Sequence, residues 1–243
     1  MSEHTIHRYE VLPSTMTTAT ELANAGCASG TVVVANEQTA GQGRHGHTWL
    51  SEAGCGLYLS EVLRLSIGAD TLPVVTLALG LAVAEAIAAV AGLACDLRWP
   101  NDVLLDGKKC AGILAQLQGK TLIAGIGINV NHGCFPPELA HIATSLRIES
   151  AGRKFSINQL LQYLIGAIDR TLEILLKEGT EAILRSFTEA SSFVRGRRVT
   201  VEHADGPKRG ITDGLDAKGF LYLREDNGKR TLILAGGVRP ECS

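Results

Sequence analysis

Residues 98–130 read RWPNDVLLDGKKCAGILAQLQGKTLIAGIGINV, and this stretch decides the fold. The turn residues Pro100-Asn101-Asp102 interrupt two short apolar runs, and Asp106-Gly107 is typical of a tight hairpin turn. Residues 111–117 and 121–130 continue as two longer apolar runs, which predict two further strands. The stretch therefore indicates consecutive β-strands joined by short turns.

Two glycines, Gly125 and Gly127, lie inside the last of these strands. A glycine in a strand gives up side-chain packing, and it often marks a place where a ligand or another part of the chain approaches closely. We therefore expect a close approach on this strand.

The sequence on both sides of this stretch predicts an α+β chain. On the N-terminal side, 32–35 and 56–62 are predicted strands on either side of a Gly-rich loop, and an Ala-rich helix is expected over 76–90. On the C-terminal side, Ser156 is typical of an N-cap, and periodic apolar residues predict a helix from 157 to about 178, ended by Gly179. A further helix is expected from 180 to about 193.

From Arg195 onward the pattern changes to short strands separated by turns, which is typical of a small barrel. Strands are predicted near 197–203, 208–213, 219–224 and 230–234. We place the domain boundary here, giving domains 1–194 and 195–243. The second has 49 residues, counting 195 to 243 inclusively, and is expected to lean on the first.

The composition is that of a globular protein. The 243 residues are 45% hydrophobic and 20% charged, with a net charge of -2, so the chain is too apolar for a disordered protein. It has no basic excess to hold a phosphate backbone, which argues against a general nucleic-acid binder. Because residues 1–10 contain no apolar signal core, a cytoplasmic location is expected.

The nearly uncharged segment 72–95 is long enough to suggest a membrane span. Pro73, a central Glu85 and many Ala and Gly residues favour a buried helix instead. No contact with a membrane is expected.

The cysteines are far apart in the sequence and form no CxxC pair, so neither a zinc site nor a disulfide framework is predicted. We expect reduced thiols at Cys27, Cys55, Cys95, Cys110, Cys134 and Cys242.

The loop Gly41-Gln-Gly-Arg-His-Gly46 matches G-x-G-x-x-G, but the chain then runs through further glycines to a strand, so the helix that a dinucleotide site needs is absent. Gly119-Lys120-Thr121 resembles the end of a P-loop, but Leu114 stands where the first glycine is required. The Gly-rich loop, with Arg44, His45 and His47, suits an anionic phosphate or carboxylate, or else is a solvated turn.

Five segments taken together resemble the biotin protein ligase family. They are Pro13-Ser14-Thr15-Met16, Glu37-Gln38-Thr39-Ala40, Arg98-Trp99-Pro100-Asn101-Asp102, Lys108-Lys109-Cys110-Ala111-Gly112-Ile113-Leu114 and Gly125-Ile126-Gly127-Ile128-Asn129-Val130-Asn131. The resemblance runs from about Tyr9 to Pro240, and the Trp-Pro-Asn-Asp turn followed by Lys109 is its most diagnostic part. It implies a mixed β-sheet with helices on one face, as in class II synthetase-like catalytic domains, followed by a small SH3-like barrel.

The resemblance also implies a two-step reaction. Biotin would be activated by ATP, with Mg²⁺, to biotinyl-AMP and then joined to a lysine of the biotin carboxyl carrier protein of acetyl-CoA carboxylase. Two alternatives stay open: a lipoate or octanoate ligase or transferase of related fold, and a non-catalytic biotin or nucleotide sensor. The oligomeric state is open between monomer and homodimer.

The resemblance assigns site residues by position. Lys109 and Arg44 are the expected catalytic residues. The expected biotin contacts are Ser14, Thr15, Met16, Gln38, Gln42, Gly43, Arg44 and Lys109. The expected ATP and adenylate contacts are Gly41, Gly46, His47, Trp49, Asn101 and Asn129.

Simpler interpretations exist for some of these residues. Ser14 and Thr15 are also suited to capping a helix over 17–25, and Trp49 to ordinary core packing. The family's usual loop is Gly-Arg-Gly-Arg-x-Gly-Arg, whereas here Gln42 and His47 replace two arginines. Only about eight residues precede the domain, so the N-terminal DNA-binding domain of the larger members, and a repressor role, are not expected.

Overall fold

A computed structural model describes residues 4–202 and 206–240 of the chain. Within these ranges the chain forms five α-helices and twelve β-strands. The helices are α1 (Thr15–Asn24), α2 (Leu72–Ala91), α3 (Leu146–Glu149), α4 (Ile157–Glu178) and α5 (Thr180–Glu189). The strands are β1 (Thr5–Leu12), β2 (Thr31–Gln38), β3 (Gly56–Leu63), β4 (Asp96–Arg98), β5 (Asp102–Leu105), β6 (Lys108–Gln118), β7 (Thr121–Asn129), β8 (Arg195–Val201), β9 (Lys208–Leu215), β10 (Leu221–Glu225), β11 (Arg230–Ile233) and β12 (Val238–Pro240).

The first seven strands form one mixed sheet in the order β1-β2-β3-β7-β6-β5-β4. β1 and β2 are parallel, and every other neighbouring pair is antiparallel. Three of the seven strands, β5, β6 and β7, lie within the 98–130 stretch, and they pair consecutively as a meander. The mixed sheet implied by the sequence is confirmed.

Helices α2, α4 and α5 cover one face of this sheet, as expected, whereas α1 lies on the other. Val33 is buried against Met16 and Ala19 of α1, while its neighbours Val32 and Val34 belong to the large core beneath α2 and α4. Successive strand residues point to opposite faces. Three consecutive buried valines therefore require packing on both faces of the sheet. The prediction that the helices lie on one face holds for α2, α4 and α5 but not for α1, which covers the other face.

The Ala-rich helix α2 begins at Leu72, four residues earlier than predicted. Pro73 stands in its first turn, where a missing N–H costs nothing. Among the described residues, the segment Ala69–Ala91 is the one helical stretch long and apolar enough to cross a membrane. Most of α2 is buried against the sheet and α4, so it is the core helix of this fold.

Helix α4 has the bounds that the sequence predicts, and Ser156 Oγ accepts a hydrogen bond from Gln159 N at 3.2 Å. Helix α5 ends at Glu189, about four residues before its predicted end near residue 193. Ser192 instead donates from its N and Oγ to the Asp96 carboxylate, at 2.8 and 2.6 Å. These bonds tie the segment after α5 to β4 and stop the helix.

The C-terminal strands form a five-stranded antiparallel sheet in the order β11-β10-β9-β8-β12. Within the described ranges this sheet is open, since β11 and β12 form its two edges, so the predicted barrel is not closed. The fifth strand, β12, was not predicted, and the end of the predicted strand 197–203 lies outside the described residues. Trp99 Nε1 donates to Gly219 O at 2.9 Å, which confirms that this unit leans on the first.

The cysteines within the described ranges are free thiols, as expected: Cys27, Cys55, Cys95, Cys110 and Cys134. Cys242 lies outside the described residues.

Glu61 of β3 is a carboxylate buried beneath α4. It is 1% exposed, and neither of its oxygens has a hydrogen-bond partner among the described residues. Burial raises the pKa of Glu61 from 4.5 to about 7, an effect that His4 opposes and Asp169 reinforces. The folded protein therefore holds this proton more tightly than the unfolded chain does.

We expect the contribution of Glu61 to folding stability to be fully present below its unfolded pKa and to be lost as the pH rises through about 7. Between about pH 5 and 8 the loss from this group is about 2–3 kcal/mol, by the conversion of 1.36 kcal/mol per unit. Glu61→Gln removes the ionisation, so urea unfolding of this variant should depend less on pH. Glu85→Gln, at an exposed position on α2, is the control. An unchanged pH dependence in Glu61→Gln would contradict the assignment.

Candidate functional site

The Gly-rich loop after β2 folds back on itself as a short hairpin. Gln42 bridges to Thr48, and Gly43 N donates to His47 O at 2.7 Å. One 3₁₀ turn forms at 44–46, with His45 at φ 54°, and no α-helix begins there. The exclusion of a dinucleotide fingerprint is therefore confirmed.

The loop lies over a floor of glycines on the α1 face of the sheet. A Cβ at Gly125 would lie 2.5 Å from Met16 Sδ, and one at Gly127 would lie 2.5 Å from Trp49 Nε1. Gly112, which pairs with Gly127, faces the same Trp49 ring and the Lys109 side chain. The close approach predicted for the last strand of the stretch is confirmed, and the approaching groups are these side chains.

One end of the pocket above this floor is formed by the start of α1. Ser14 has extended backbone at the N-cap position, but its hydroxyl caps no helix N–H. The side chain is 1% exposed, and its Oγ has no hydrogen-bond partner among the described residues. The capping interpretation is therefore wrong for the Ser14 hydroxyl. Because an unpaired buried hydroxyl is costly, this oxygen is ready to bond a polar ligand.

Thr15 and Gln38 beside it are held in place by a hydrogen-bond chain. Thr15 donates to Gln38 Oε1 from its N at 2.8 Å and from its Oγ1 at 3.1 Å. Thr15 Oγ1 also lies 2.8 Å from Ser60 Oγ, and Gln38 Nε2 donates to Ser51 Oγ at 2.9 Å. This end of the pocket is thus rigid and polar.

The opposite end carries two cations. Lys109 Nζ lies 2.5 Å from Asp102 Oδ1 and 5.3 Å from the centre of the Trp49 ring. Arg44 donates to Asn101 Oδ1 at 3.1 Å, and Asn101 Nδ2 donates to Ile113 O at 2.9 Å. The asparagine therefore orients the guanidinium.

Asp102 balances this charge and was missed as a site residue, although it stands in the Trp-Pro-Asn-Asp turn. Arg98 donates to its Oδ2 at 2.7 Å, opposite the bond from Lys109. Burial opposes ionisation of this carboxyl, but Lys109 and Arg98 together hold its pKa below the usual value. Partial burial lowers the pKa of Arg44, against the effect of Asp102. A guanidinium nevertheless stays charged in proteins.

All the residues expected to contact biotin line this one pocket: Ser14, Thr15, Met16, Gln38, Gln42, Gly43, Arg44 and Lys109. Trp49 and Asn101 line it too. A neighbouring pocket beyond Trp49 is lined by His47, Lys109 and Asn129. Gly41 and Gly46 line neither pocket, since Gly41 is buried beneath the loop and Gly46 is its exposed tip. Their contacts with an adenylate stay predictions.

The apolar walls of both pockets were not predicted, because apolar residues within strands and loops carry no local signal of a ligand. In the first pocket they are Leu59, Ile113, Leu114 and Ile126. In the second they are Leu50, Phe135, Leu139, Ile142 and Ala143.

Comparison with protein families assigns both parts of the chain. The profile of the biotin/lipoate A/B protein ligase family matches residues 9–132. The profile of the biotin protein ligase C-terminal domain matches residues 195–238.

Known proteins show the same similarity along most of the chain. The bifunctional ligase/repressor BirA of Bacillus subtilis is 36% identical over 242 residues, which cover 97% of this chain and 74% of that protein. The biotin–[acetyl-CoA-carboxylase] ligase of Mycobacterium tuberculosis is 34% identical, with 86% and 77% covered. The structure of the biotin protein ligase from Aquifex aeolicus in complex with biotin and ATP matches with a TM-score of 0.85 at 31% identity. That match covers 98% of this chain and 99% of the other.

Proposed function

This chain belongs to the biotin/lipoate A/B protein ligase family, and from this premise we propose how its residues activate biotin with ATP and transfer it to a lysine of a carrier protein. The protein is an ATP-dependent, adenylate-forming biotin–protein ligase. The main support for the mechanism is a single pocket. It has the unpaired, buried Ser14 hydroxyl at one end and the cations Lys109 and Arg44 at the other.

We place the ureido head of biotin at the Ser14 end of the pocket. Its amide-like N–H and C=O groups need hydrogen-bond partners when they leave water. The Ser14 hydroxyl is unpaired, and Thr15 and Gln38 are already oriented beside it. The acyl chain would then run over the glycine floor and bring its carboxylate to Lys109 and Arg44.

In the first step the biotin carboxylate attacks the α-phosphate of ATP and expels pyrophosphate, which gives biotinyl-AMP. A carboxylate is already ionised near neutral pH, so the step needs positioning and charge neutralisation rather than a general base. Lys109 and Arg44 supply fixed positive charge where negative charge accumulates. When bound to the nucleotide as MgATP, Mg²⁺ would supply further positive charge on the phosphates.

In the second step a lysine amine of the carrier attacks the mixed anhydride and displaces AMP. Water competes for the same carbonyl, so the intermediate has to be covered until the carrier arrives. The hairpin of the Gly-rich loop lies over the pocket and is suited to this closure. The pocket lined by Trp49, His47 and Asn129 would take the adenylate.

The reaction is tested by incubating the pure protein with biotin, MgATP and a carrier domain, and measuring the mass of the carrier. We expect the increment of one biotin. Incorporation of lipoate or octanoate in place of biotin would favour the related acyl ligases. Binding of biotin without any incorporation would favour the sensor.

Several finer features belong to the same proposal. The names of the relatives support the biotin carboxyl carrier protein of acetyl-CoA carboxylase as the acceptor. We propose that the protein is cytoplasmic and that its two domains meet between residues 194 and 195. We also propose that it acts as a monomer or as a homodimer. Size-exclusion chromatography with light scattering separates the last two.

His47 is exposed on the loop and lines the second pocket, where the family usually has an arginine. We propose that this side chain contacts a phosphate of the adenylate, and His47→Arg should then slow release of biotinyl-AMP, because arginine is always charged and offers several donors in a planar fork. Biotinyl-AMP dissociation measured for both proteins checks the expectation, with His45→Arg as the control. Equal dissociation rates for wild type and His47→Arg would leave His47 without a role in phosphate binding.

A further inference from the structure

Three possible metal ligands meet at a place that the biotin reaction does not use. Glu52 and Cys55 lie in the turn before β3, and His132 follows the end of β7. The two strands pair with Gly56 opposite Asn129, so this turn lies beside the chain that leaves β7. The carboxylate oxygen, the thiol sulfur and the imidazole nitrogen all lie within 4.8 Å of one another.

The backbone holds the two segments together at this point. Cys55 O accepts hydrogen bonds from Val130 N at 3.1 Å and from Asn131 N at 2.6 Å. The side chains of Cys55 and His132 are therefore brought together by the sheet rather than by a mobile loop.

The imidazole of His132 is buried without a hydrogen-bond partner among the described residues. The residue is 1% exposed, and both ring nitrogens lack such a partner. Its ring stacks on Phe135, with centroids 5.0 Å apart and planes at 21°, which leaves the nitrogens unsatisfied. Buried imidazoles without a partner are rare because desolvation of the nitrogens is costly. A metal ion would give one of them a bond.

We propose that Glu52, Cys55 and His132 form a binding site for a divalent metal ion of the zinc class, with water as the fourth ligand. One thiolate, one imidazole and one carboxylate suit Zn²⁺, whereas Mg²⁺ prefers oxygen ligands alone. Zinc bonds of about 2.0–2.3 Å in a tetrahedron place ligand atoms about 3.3–3.8 Å apart. The ligand atoms lie within 4.8 Å of one another, so they would have to close by up to about 1–1.5 Å to reach this geometry. Glu52 is exposed and can turn inward.

Metal binding at Cys55 needs the thiolate form of the side chain. Binding would therefore form the metal–sulfur bond and release the thiol proton to solvent.

A metal here would fasten the turn before β3 to the segment that carries Phe135. Phe135 also lines the second pocket, together with Trp49 and Asn129. The ion would therefore stabilise the wall of that pocket from behind, without touching biotin or the reacting atoms.

The first test uses Co²⁺ as a spectroscopic probe on the full chain without nucleotide. We expect a cobalt–thiolate charge-transfer band that saturates at one ion per chain and is competed away by Zn²⁺. Cys55→Ser should abolish the band, whereas Cys134→Ser, an exposed cysteine two residues from His132, should keep it. Absence of a band in the wild type, or a band that survives in Cys55→Ser, would overturn the proposal.

The second test does not depend on the buried histidine, whose replacement risks the fold. Glu52 is exposed, so Glu52→Gln should fold normally and bind Zn²⁺ at least about tenfold more weakly, as measured by titration calorimetry. Zn²⁺ should also raise the thermal unfolding midpoint of the wild type and not that of Cys55→Ser. Equal affinity in Glu52→Gln, or a wild-type midpoint that Zn²⁺ leaves unchanged, would count against the site.

Discussion

Lys109→Ala should slow the formation of biotinyl-AMP about 100- to 1000-fold, the usual cost of removing one charge-stabilising contact from a transition state. Lys109 lies at the end of the pocket where we propose that the biotin carboxylate binds, and Asp102 Oδ1 lies 2.5 Å from its Nζ. The fold should survive, because Asp102 keeps its second partner, Arg98, at 2.7 Å. Biotin-dependent exchange of pyrophosphate into ATP measures this half-reaction by itself.

Lys108→Ala is the matched control. The two lysines are adjacent in β6, and Lys108 does not line the pocket. We expect its exchange rate to stay close to that of the wild type. Equal slowing by both substitutions would mean that a general loss of positive charge, and not the position of Lys109, accounts for the effect.

Arg44→Ala should release biotinyl-AMP roughly ten- to 150-fold faster. A hydrogen bond to a charged group is worth about 1.5–3 kcal/mol, and each 1.4 kcal/mol is tenfold in affinity. Asn101 presents this guanidinium to the pocket beneath the loop, so the loss should fall on retention of the intermediate. Stopped-flow dissociation of the purified adenylate measures the rate, and labelling of lysines on a bystander protein reports the escaped intermediate.

His45→Ala is the control for Arg44, since it changes an exposed side chain of the same loop that lines neither pocket. Its dissociation rate should match the wild type. If Arg44→Ala also left the rate unchanged, Arg44 would have no part in holding the adenylate.

Where the signal is local, the sequence predicts this structure closely. Helix α4 begins after its Ser156 cap and ends at Glu178, just before Gly179, as expected, because both signals act within one turn of the helix. The Gly-rich loop forms no helix, as its own glycines indicate. The glycines of β7 predicted a close approach, but the approaching side chains, Met16 and Trp49, are known only from the structure.

Elements that depend on contacts between distant segments were not predicted from the sequence. β1 was not predicted, since it is a largely exposed edge strand held by parallel pairing with β2. β12 was missed because a strand of three residues ending in Pro240 is defined only by its pairing with β8. The place of α1 depends on the second buried face of the sheet, which no single segment reveals.

By itself, the sequence determined the family and the residues expected at the site, because the order and spacing of short motifs are properties of the chain. Only the tertiary structure decided which polar groups are satisfied. The strand pairings bring Lys109 to Asp102, bury the Ser14 hydroxyl without a partner, and place His132 beside Cys55. Whether a buried group has a partner depends on distances between segments far apart in sequence, and the folded sheet alone sets those distances.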